Sequence, residues 1–579
     1  MALNASVGGR LHSTSPFALP CFSIYNNNTV TSNTSASACS LVRENYRTNS
    51  FHADTPGGYM YLQDEMCLGE PLDQCVLDNT VDPVPAPLPG ASCNQGSVPS
   101  YYLEVRHISD IIKAFDFSSR YAVPLVIKNS GHDFMTRSSQ KGSLALWVHS
   151  LNGLAYRENF VPEGCTKASN VDRVVVAGTG ASTESILDFA SQHGSTFIGS
   201  YSPTVSASGG WVLGGGHGVL SPVYGLGVDR VYQITLVTPD GVVRVANQCQ
   251  NEDLFWALRG GGGGTFGVVL EAVHQVERAM PVAVANIKLP SNITVKTSLD
   301  WVKLIAEESL RWGKQGWGGH AAGLYLTHMN PLPAIANLTN GGIAAQASMW
   351  RATDFALSVG GTSVVEVYPD FIDIWNKFVL PGAETTAGTA RILTSALLPR
   401  ELFSSEAGIS KVVHVLAASQ DLGFDPRDLY IPVTTPFVAD DSSGVIRPMD
   451  DAGKAVNPAW YSALWHLSFS SFVPWNSSYE KRLQILTAAA KLTPLLEELT
   501  GPKRASYLHE ANPFEQKWQE SWWADKYQRL VAIKMKYDPK RILNCWKCVG
   551  FQNEDISSDQ FKCQGKLQRD IDAQTEALF

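Results

Sequence analysis

Glycine placement constrains this chain more than any other feature. The run GSYSPTVSASGGWVLGGGHGVLSPVYGLGVDRV (199–231) carries Gly209, Gly210, Gly214, Gly215, Gly216 and Gly218. Backbone stripped of side chains at that density is backbone pressed against a flat or phosphorylated ligand. Trp211, Val212 and Leu213 sit inside the run and argue against a purely solvated loop. A second run, DLFWALRGGGGGTFGVVLEA (253–272), holds a literal G-x-G-x-x-G at Gly262, Gly264 and Gly267. Here a helix precedes the glycines and a strand follows, the reverse of the order a dinucleotide fingerprint needs. A nicotinamide cofactor is thereby disfavoured.

A third segment, VPLVIKNSGHDFMTRSS (123–139), runs from a short buried strand into Asn129, Ser130, Gly131, His132 and Asp133. Small residues after a strand let successive N–H groups turn inward as an anion nest for a diphosphate. His132 then stands where a ring nitrogen meets a cofactor, although a lone histidine after a strand is more often structural. Around these segments the reading is mixed. IIKAFDF (111–117), STESILDFASQHG (182–194), NEDLFWALRG (251–260) and SLDWVKLIAEESLRWG (298–313) have helical spacing, with Ser182 or Thr183 as the cap of the second. YQITLVTPDGVVRVA (232–246) reads as a hairpin turning at Asp240-Gly241, and residues 515–536 as one helix rich in Trp, Lys and Tyr.

At 579 residues the chain exceeds what one hydrophobic core supports, so at least two packed units are expected. A net charge of −9 gives no general attraction to nucleic acid or anionic membranes. No stretch reaches the roughly 18–20 apolar residues of a membrane span. The N-terminal MALNASVGGRLHSTSP does not read as a signal peptide. Even so, Cys21, Cys39, Cys67, Cys75, Cys93 and Cys165 cluster early, and N-x-S/T sequons fall at Asn4, Asn27, Asn33, Asn292, Asn337 and Asn476. Residues 1–96 therefore read as an irregular, disulfide-containing surface segment of a secreted glycoprotein, ending in the extended DPVPAPLPG (82–90). Reduced thiols and chance sequons are the plainer alternative. Cys545-x-x-Cys548 lacks the ligand count of a zinc site and is read as a disulfide or packing pair; no metal is expected.

Taken together, VPLVIKNSGHD, SPTVSASGGWVLGGGHG, DLFWALRGGGGGTFGVV and the C-terminal KYDPKRIL (536–543) resemble, in that order, the FAD-linked oxidases of the vanillyl-alcohol oxidase and p-cresol methylhydroxylase superfamily. The likeness is to the berberine-bridge-enzyme-like branch, and within it to fungal secreted alcohol-oxidase-like proteins. It implies an α+β fold with a two-subdomain FAD-binding unit over 97–285, an antiparallel-sheet substrate domain over 286–500, and a return to the FAD unit over 501–579. It also implies site residues. His132 matches the histidine bonded to the flavin. Asn129, Ser130, Gly131, Asp133, Ser138, Gly209, Gly210, Gly214, Gly215, Gly216 and Gly218 match diphosphate and ring contacts. Ser208, Leu213 and His217 belong to the same block, His217 being read as a packed loop residue. Gly264, Thr265, Gly267 and Val269 match the adenine and ribityl side, and Asn544 closes the set.

Two positions refine that picture. Relatives often attach the flavin a second time through a cysteine just before Pro-Thr-Val; here Ser202 precedes Pro203, Thr204 and Val205, so a single bond is expected. Val205 stands where a small residue admits oxygen in oxidases. For the proton that leaves the substrate as hydride departs, SYLHEANP (506–513) is read as a strand, with Glu510 as the base and Tyr507 second. A buried glutamate needs a raised pKa for that task near neutral pH. The resemblance implies a small-molecule substrate with oxygen as acceptor, in a monomer. An alcohol or sugar-hydroxyl oxidase that releases peroxide leads. A ring-closing or desaturating oxidase of specialised metabolites and a silent flavin-binding protein are the alternatives.

Overall fold

The computed structural model describes residues 2–29, 35–167, 170–437 and 450–576. Its helices and sheets are mixed, in keeping with the α+β reading. A four-stranded sheet runs in the order Leu11–Ser13, Tyr101–Glu104, Leu144–Trp147, Leu125–Lys128, the last three parallel. The helix Ile108–Tyr121 crosses between Tyr101–Glu104 and Leu125–Lys128, burying Ile111, Ala114 and Phe115 at helical spacing against that sheet. A second, antiparallel sheet centres on Val268–Arg278, flanked by Val231–Val237 and Val171–Gly178. The hairpin at Asp240-Gly241 forms as read, and Ser182 caps the helix Thr183–Gln192 by accepting from the Ser185 N–H.

A seven-stranded antiparallel sheet fills the middle of the chain, in the order 362–368, 282–288, 325–330, 318–322, 430–433, 463–472, 391–399. Its two faces differ, because side chains alternate along a strand. On one face Ala285, Ile287, Leu326, Ala321, Ile431, Leu467 and Phe469 pack on Trp301, Val302 and Ile305 of the helix Val295–Lys314. Burying each of the leucine, isoleucine and phenylalanine side chains there contributes roughly 1.5–3 kcal/mol. The other face carries Tyr325, Thr327, His320, Tyr430, His466, Ser468, Ser470 and Arg391, with Thr434 just past its strand. A polar face that is also largely buried must meet something other than lipid-like core.

Three expectations fail. Residues 515–536 are two helices, Trp518–Trp523 and Tyr527–Tyr537, broken where Ala524 adopts φ 54°. Residues 506–513 form no strand; they turn, with the Glu510 N–H donating to the Tyr507 carbonyl at 2.9 Å. The first hundred residues are more than surface cover. Tyr59, Met60, Leu62 and Met66 are buried, and Leu11–Ser13 extends the first sheet. All ten cysteines pair: Cys21–Cys39, Cys67–Cys563, Cys75–Cys93, Cys165–Cys249 and Cys545–Cys548. The Cys67–Cys563 bond ties the N-terminal segment to the last helix, Lys562–Thr575.

Candidate active site

The two glycine runs and the SGHD loop converge on one cavity. Asn129–Ser138 leaves the end of Leu125–Lys128 and folds around the Asp133 carboxylate, which accepts the N–H groups of Met135 (2.9 Å), Ser138 (2.7 Å) and Arg137. Gly131 sits at φ 83°, where an added Cβ would stand 3.1 Å from the Tyr59 Cα. Gly209, Gly210 and Leu213 line it together with Gly263, Gly264, Gly267 and Val269, and Gly210 abuts Gly263, where an added Cβ would stand 3.3 Å from the Gly210 Cα. Asn129 Nδ2 donates to Ser206 Oγ at 2.7 Å and to the Thr179 carbonyl, pinning the loop to the glycine run.

This cavity fits FAD. Asn129 Oδ1, Ser138 Oγ and Arg137 Nε are buried without a hydrogen-bond partner among the described residues, and Asn129, Ser138 and Arg137 all line the cavity. Buried polar atoms left so imply a polar ligand. His132 Nε2 lies 2.7 Å from Thr204 Oγ1 and 3.5 Å from Ser202 Oγ. Burial pushes its imidazole down to about 3, so the ring is neutral.

Not every residue read from sequence lines this wall. Asn129, Ser130, Gly131, His132, Asp133, Ser138 and Val205 do. Ser202 and Thr204 stand behind His132, and the Pro203 carbonyl is taken by the Glu184 N–H at 3.1 Å. Ser208 turns away, its Oγ 2.9 Å from His274 Nε2. The glycine run divides after Leu213, because the chain there leaves the cavity and packs on protein. Gly214 lies beneath His509, Gly216 packs on Trp211, and Gly218 on the Gly199 carbonyl. Gly215, also expected as a cofactor contact, is off the wall as well. A Cβ there would meet Val456 Cγ1 at 3.4 Å and Tyr507 Cε2 at 3.7 Å, and its φ of 132° is the reason for glycine. The carbonyls of Thr265 and Asn544 are taken by Lys534 Nζ (2.6 Å) and Gln560 Nε2 (3.0 Å). Thr179, Trp211, Arg137 and His509 line the cavity unannounced. Arg137 was readable, six residues from Gly131 in the same loop; Thr179 and His509 arrive by tertiary contact.

Beside the cavity lies a second polar cluster, joined to it by His509, whose Nε2 is 2.7 Å from the Gly210 carbonyl oxygen. Glu510 Oε1 is 3.0 Å from His217 Nε2, and Glu510 Oε2 is 3.6 Å from His466 Nδ1. His217 Nδ1 meets Thr434 Oγ1 at 3.0 Å. Tyr507 stands edge-on to His217, with ring centres 5.1 Å apart, and to Trp460 at 5.3 Å. His320 stacks on Tyr201 at 4.2 Å and contacts the Tyr430 hydroxyl. His217 is thus the partner of Glu510 rather than loop packing. Nor is the Glu510 carboxyl raised. Burial pushes it up, but His217, through charge and hydrogen bond, and then His466 and His320 outweigh burial and take it down to about 2. The carboxylate is ionised throughout the physiological range. The polar sheet face supplies His320, Tyr430, Thr434 and His466, none of which was read from sequence. Their signal was alternation, as in His466-Leu467-Ser468-Phe469-Ser470.

Comparison with known proteins agrees with this geometry. The FAD binding domain family matches residues 99–247, and the berberine and berberine-like family matches residues 506–545. A FAD-linked oxidoreductase of Aspergillus flavipes, ffsJ, is 36% identical over 96% of this chain and 92% of its own. The crystal structure of the VAO-type flavoprotein MtVAO615 from Myceliophthora thermophila C1 superposes with a TM-score of 0.77 at 26% identity, covering 95% of this chain and 94% of that one. The glucooligosaccharide oxidase of Acremonium strictum, described as carrying 6-S-cysteinyl, 8α-N1-histidyl FAD, shares the fold at TM-score 0.57 and 20% identity, over 78% of this chain and 92% of that one. The chain belongs to the berberine-bridge-enzyme-like branch of the VAO-type FAD-linked oxidoreductases.

Proposed function

We propose that this oxidoreductase is a secreted oxidase of alcohols or sugar-like hydroxyls that holds FAD through His132 alone and uses oxygen as acceptor. The observation that carries the reading is His132 on the wall of a cavity with unpaired buried Asn129 Oδ1, Ser138 Oγ and Arg137 Nε, joined through His509 to the cluster that holds Glu510. FAD, when bound, supplies a two-electron acceptor that takes hydride from carbon and returns its electrons to oxygen as hydrogen peroxide. The chain's own residues do the rest. His132 offers an unprotonated ring nitrogen for attachment, and Thr204 Oγ1 orients it. Ser202 has no thiol for a second bond. Glu510 is the candidate acceptor for the hydroxyl proton, ionised and so free to take it, though a weaker base than the raised carboxyl expected from sequence; Tyr507 packs against the same site and is the second candidate. Val205 lines the cavity and keeps a path open for oxygen.

Five disulfides support an oxidising compartment. Among the described residues no helix is long and apolar enough to cross a membrane. Asn27, Asn292 and Asn476 are exposed and Asn4 and Asn337 partly so, as glycan attachment requires; Asn33 lies outside the described residues. The partners we expect are a small-molecule substrate and oxygen, with the protein acting as a monomer. The test is a screen of alcohols, sugars and aromatic amines for peroxide release and for anaerobic bleaching of the flavin. At least one hydroxyl compound should do both. A protein whose flavin no compound reduces is a binding protein, and the reading fails.

A further inference from the structure

We propose that His217, His466 and Glu510 form a binding site for one divalent transition-metal cation of the zinc class. The donor set is two imidazoles and one carboxylate, the composition of catalytic zinc sites that keep a fourth position open. One nitrogen of each ring and one carboxylate oxygen all lie within 4.8 Å of one another. A tetrahedral ion with bonds of about 2.0–2.2 Å spaces its ligand atoms by about 3.4 Å. Glu510 Oε1 stands 3.0 Å from His217 Nε2, a hydrogen bond that an ion would replace, and Glu510 Oε2 stands 3.6 Å from His466 Nδ1, close to that spacing.

Unpaired atoms make the stronger case. His466 is fully buried, and among the described residues its Nδ1 has no hydrogen-bond partner; neither has Glu510 Oε2, the atom it faces. At 3.6 Å the pair is too far apart for a hydrogen bond and suitably placed to share an ion. Leaving both bare in the interior is costly, and a cation satisfies them together. Supporting contacts are also in place. Thr434 Oγ1 holds His217 Nδ1, turning Nε2 toward Glu510, as outer groups fix the rings of metal-bound histidines. Nothing in the sequence announces this site, since its three residues come from the glycine run, a strand of the large sheet and the C-terminal return.

Binding of the ion is independent of the oxidase reading, whereas its role rests on it. There the open position would take the substrate's hydroxyl oxygen and raise its acidity, and the proton would pass to the Glu510 carboxylate oxygen that does not bind the ion, so Glu510 would serve as ligand and proton acceptor together.

The experiment uses the FAD-loaded protein, expressed without a histidine tag, incubated with zinc chloride, desalted and measured for metal by mass spectrometry. One zinc per chain is expected in the wild type, with loss to background in His466→Gln and Glu510→Gln, each checked for undiminished flavin content. Thr434→Val keeps all three ligands and guards against misfolding of the others; its zinc affinity should fall roughly 10–100-fold. No retained zinc in the wild type, or zinc unchanged by all three substitutions, overturns the proposal. The oxidase reading is judged separately. A zinc-free protein whose flavin is reduced by an alcohol sinks the metal and keeps the oxidase, and a zinc-bound protein reduced by no alcohol does the reverse.

Discussion

Two glycines of the same run should respond to alanine in opposite ways. At Gly210 an added Cβ meets no atom within 4 Å, and Gly210 lines the cavity, so the methyl group would enter space assigned to FAD. At Gly218 the Cβ would stand 2.0 Å from the Gly199 carbonyl oxygen, a backbone atom that cannot swing aside. Inserting a methyl into occupied space costs roughly 1–3 kcal/mol. For Gly210→Ala that cost falls on the complex: FAD affinity should drop roughly 5–150-fold while the FAD-free protein unfolds at the wild-type temperature. For Gly218→Ala it falls on the fold at or beyond the upper end of that range, lowering the melting temperature with or without FAD. The assay is FAD titration by flavin fluorescence quenching, in a His132→Ala background where exchange is reversible, beside thermal unfolding of the FAD-free forms. Wild-type FAD affinity in Gly210→Ala would refute the placement of the cofactor against Gly210.

Other outcomes follow from the same site. Val205→Ile should slow reoxidation of the reduced flavin in air and leave anaerobic reduction nearly intact; equal reoxidation makes Val205 plain packing. Glu510→Gln should slow anaerobic reduction by about 10²–10⁴, as loss of a positioned base does, while Tyr507→Phe is milder; stopped-flow absorbance separates them. His132 is held near 3 by burial, against 6.5 for an unperturbed ring, so the neutral attacking form persists as pH falls. Covalent FAD incorporation into FAD-free protein should therefore run as fast at pH 5 as at pH 7.5, and a fall toward pH 5, read as gel fluorescence against time, would show an ordinary imidazole.

What could be read in the sequence was what is local. The SGHD loop and both glycine runs are contiguous, and each builds its share of the cavity from neighbours in the chain, so Asn129, Gly131, His132, Gly209 and Gly264 all appear on its wall. Residues such as Gly215, Thr265 and Asn544 sit in the right segments but face or bond elsewhere, a direction that motif spacing does not carry. The second cluster was hidden for a different reason. His466 lies on a strand buried on both faces, and Thr434 just past another, so polar alternation was masked by hydrophobic neighbours. Tyr507–Glu510 has a strand's alternation over four residues and yet makes a turn, because Arg137 holds the Leu508 carbonyl at 3.1 Å and His217 holds the Glu510 side chain. Ala524 gives no sequence warning of its positive φ, so the helical break there went unread.

Peptide mass mapping of the purified, denatured protein tests the central claim most directly. The account predicts FAD mass on the peptide containing His132, the Ser202 peptide unmodified, and no yellow colour lost on denaturation. A His132 peptide of unmodified mass with free FAD in the supernatant, or an adduct on any other residue, would contradict it.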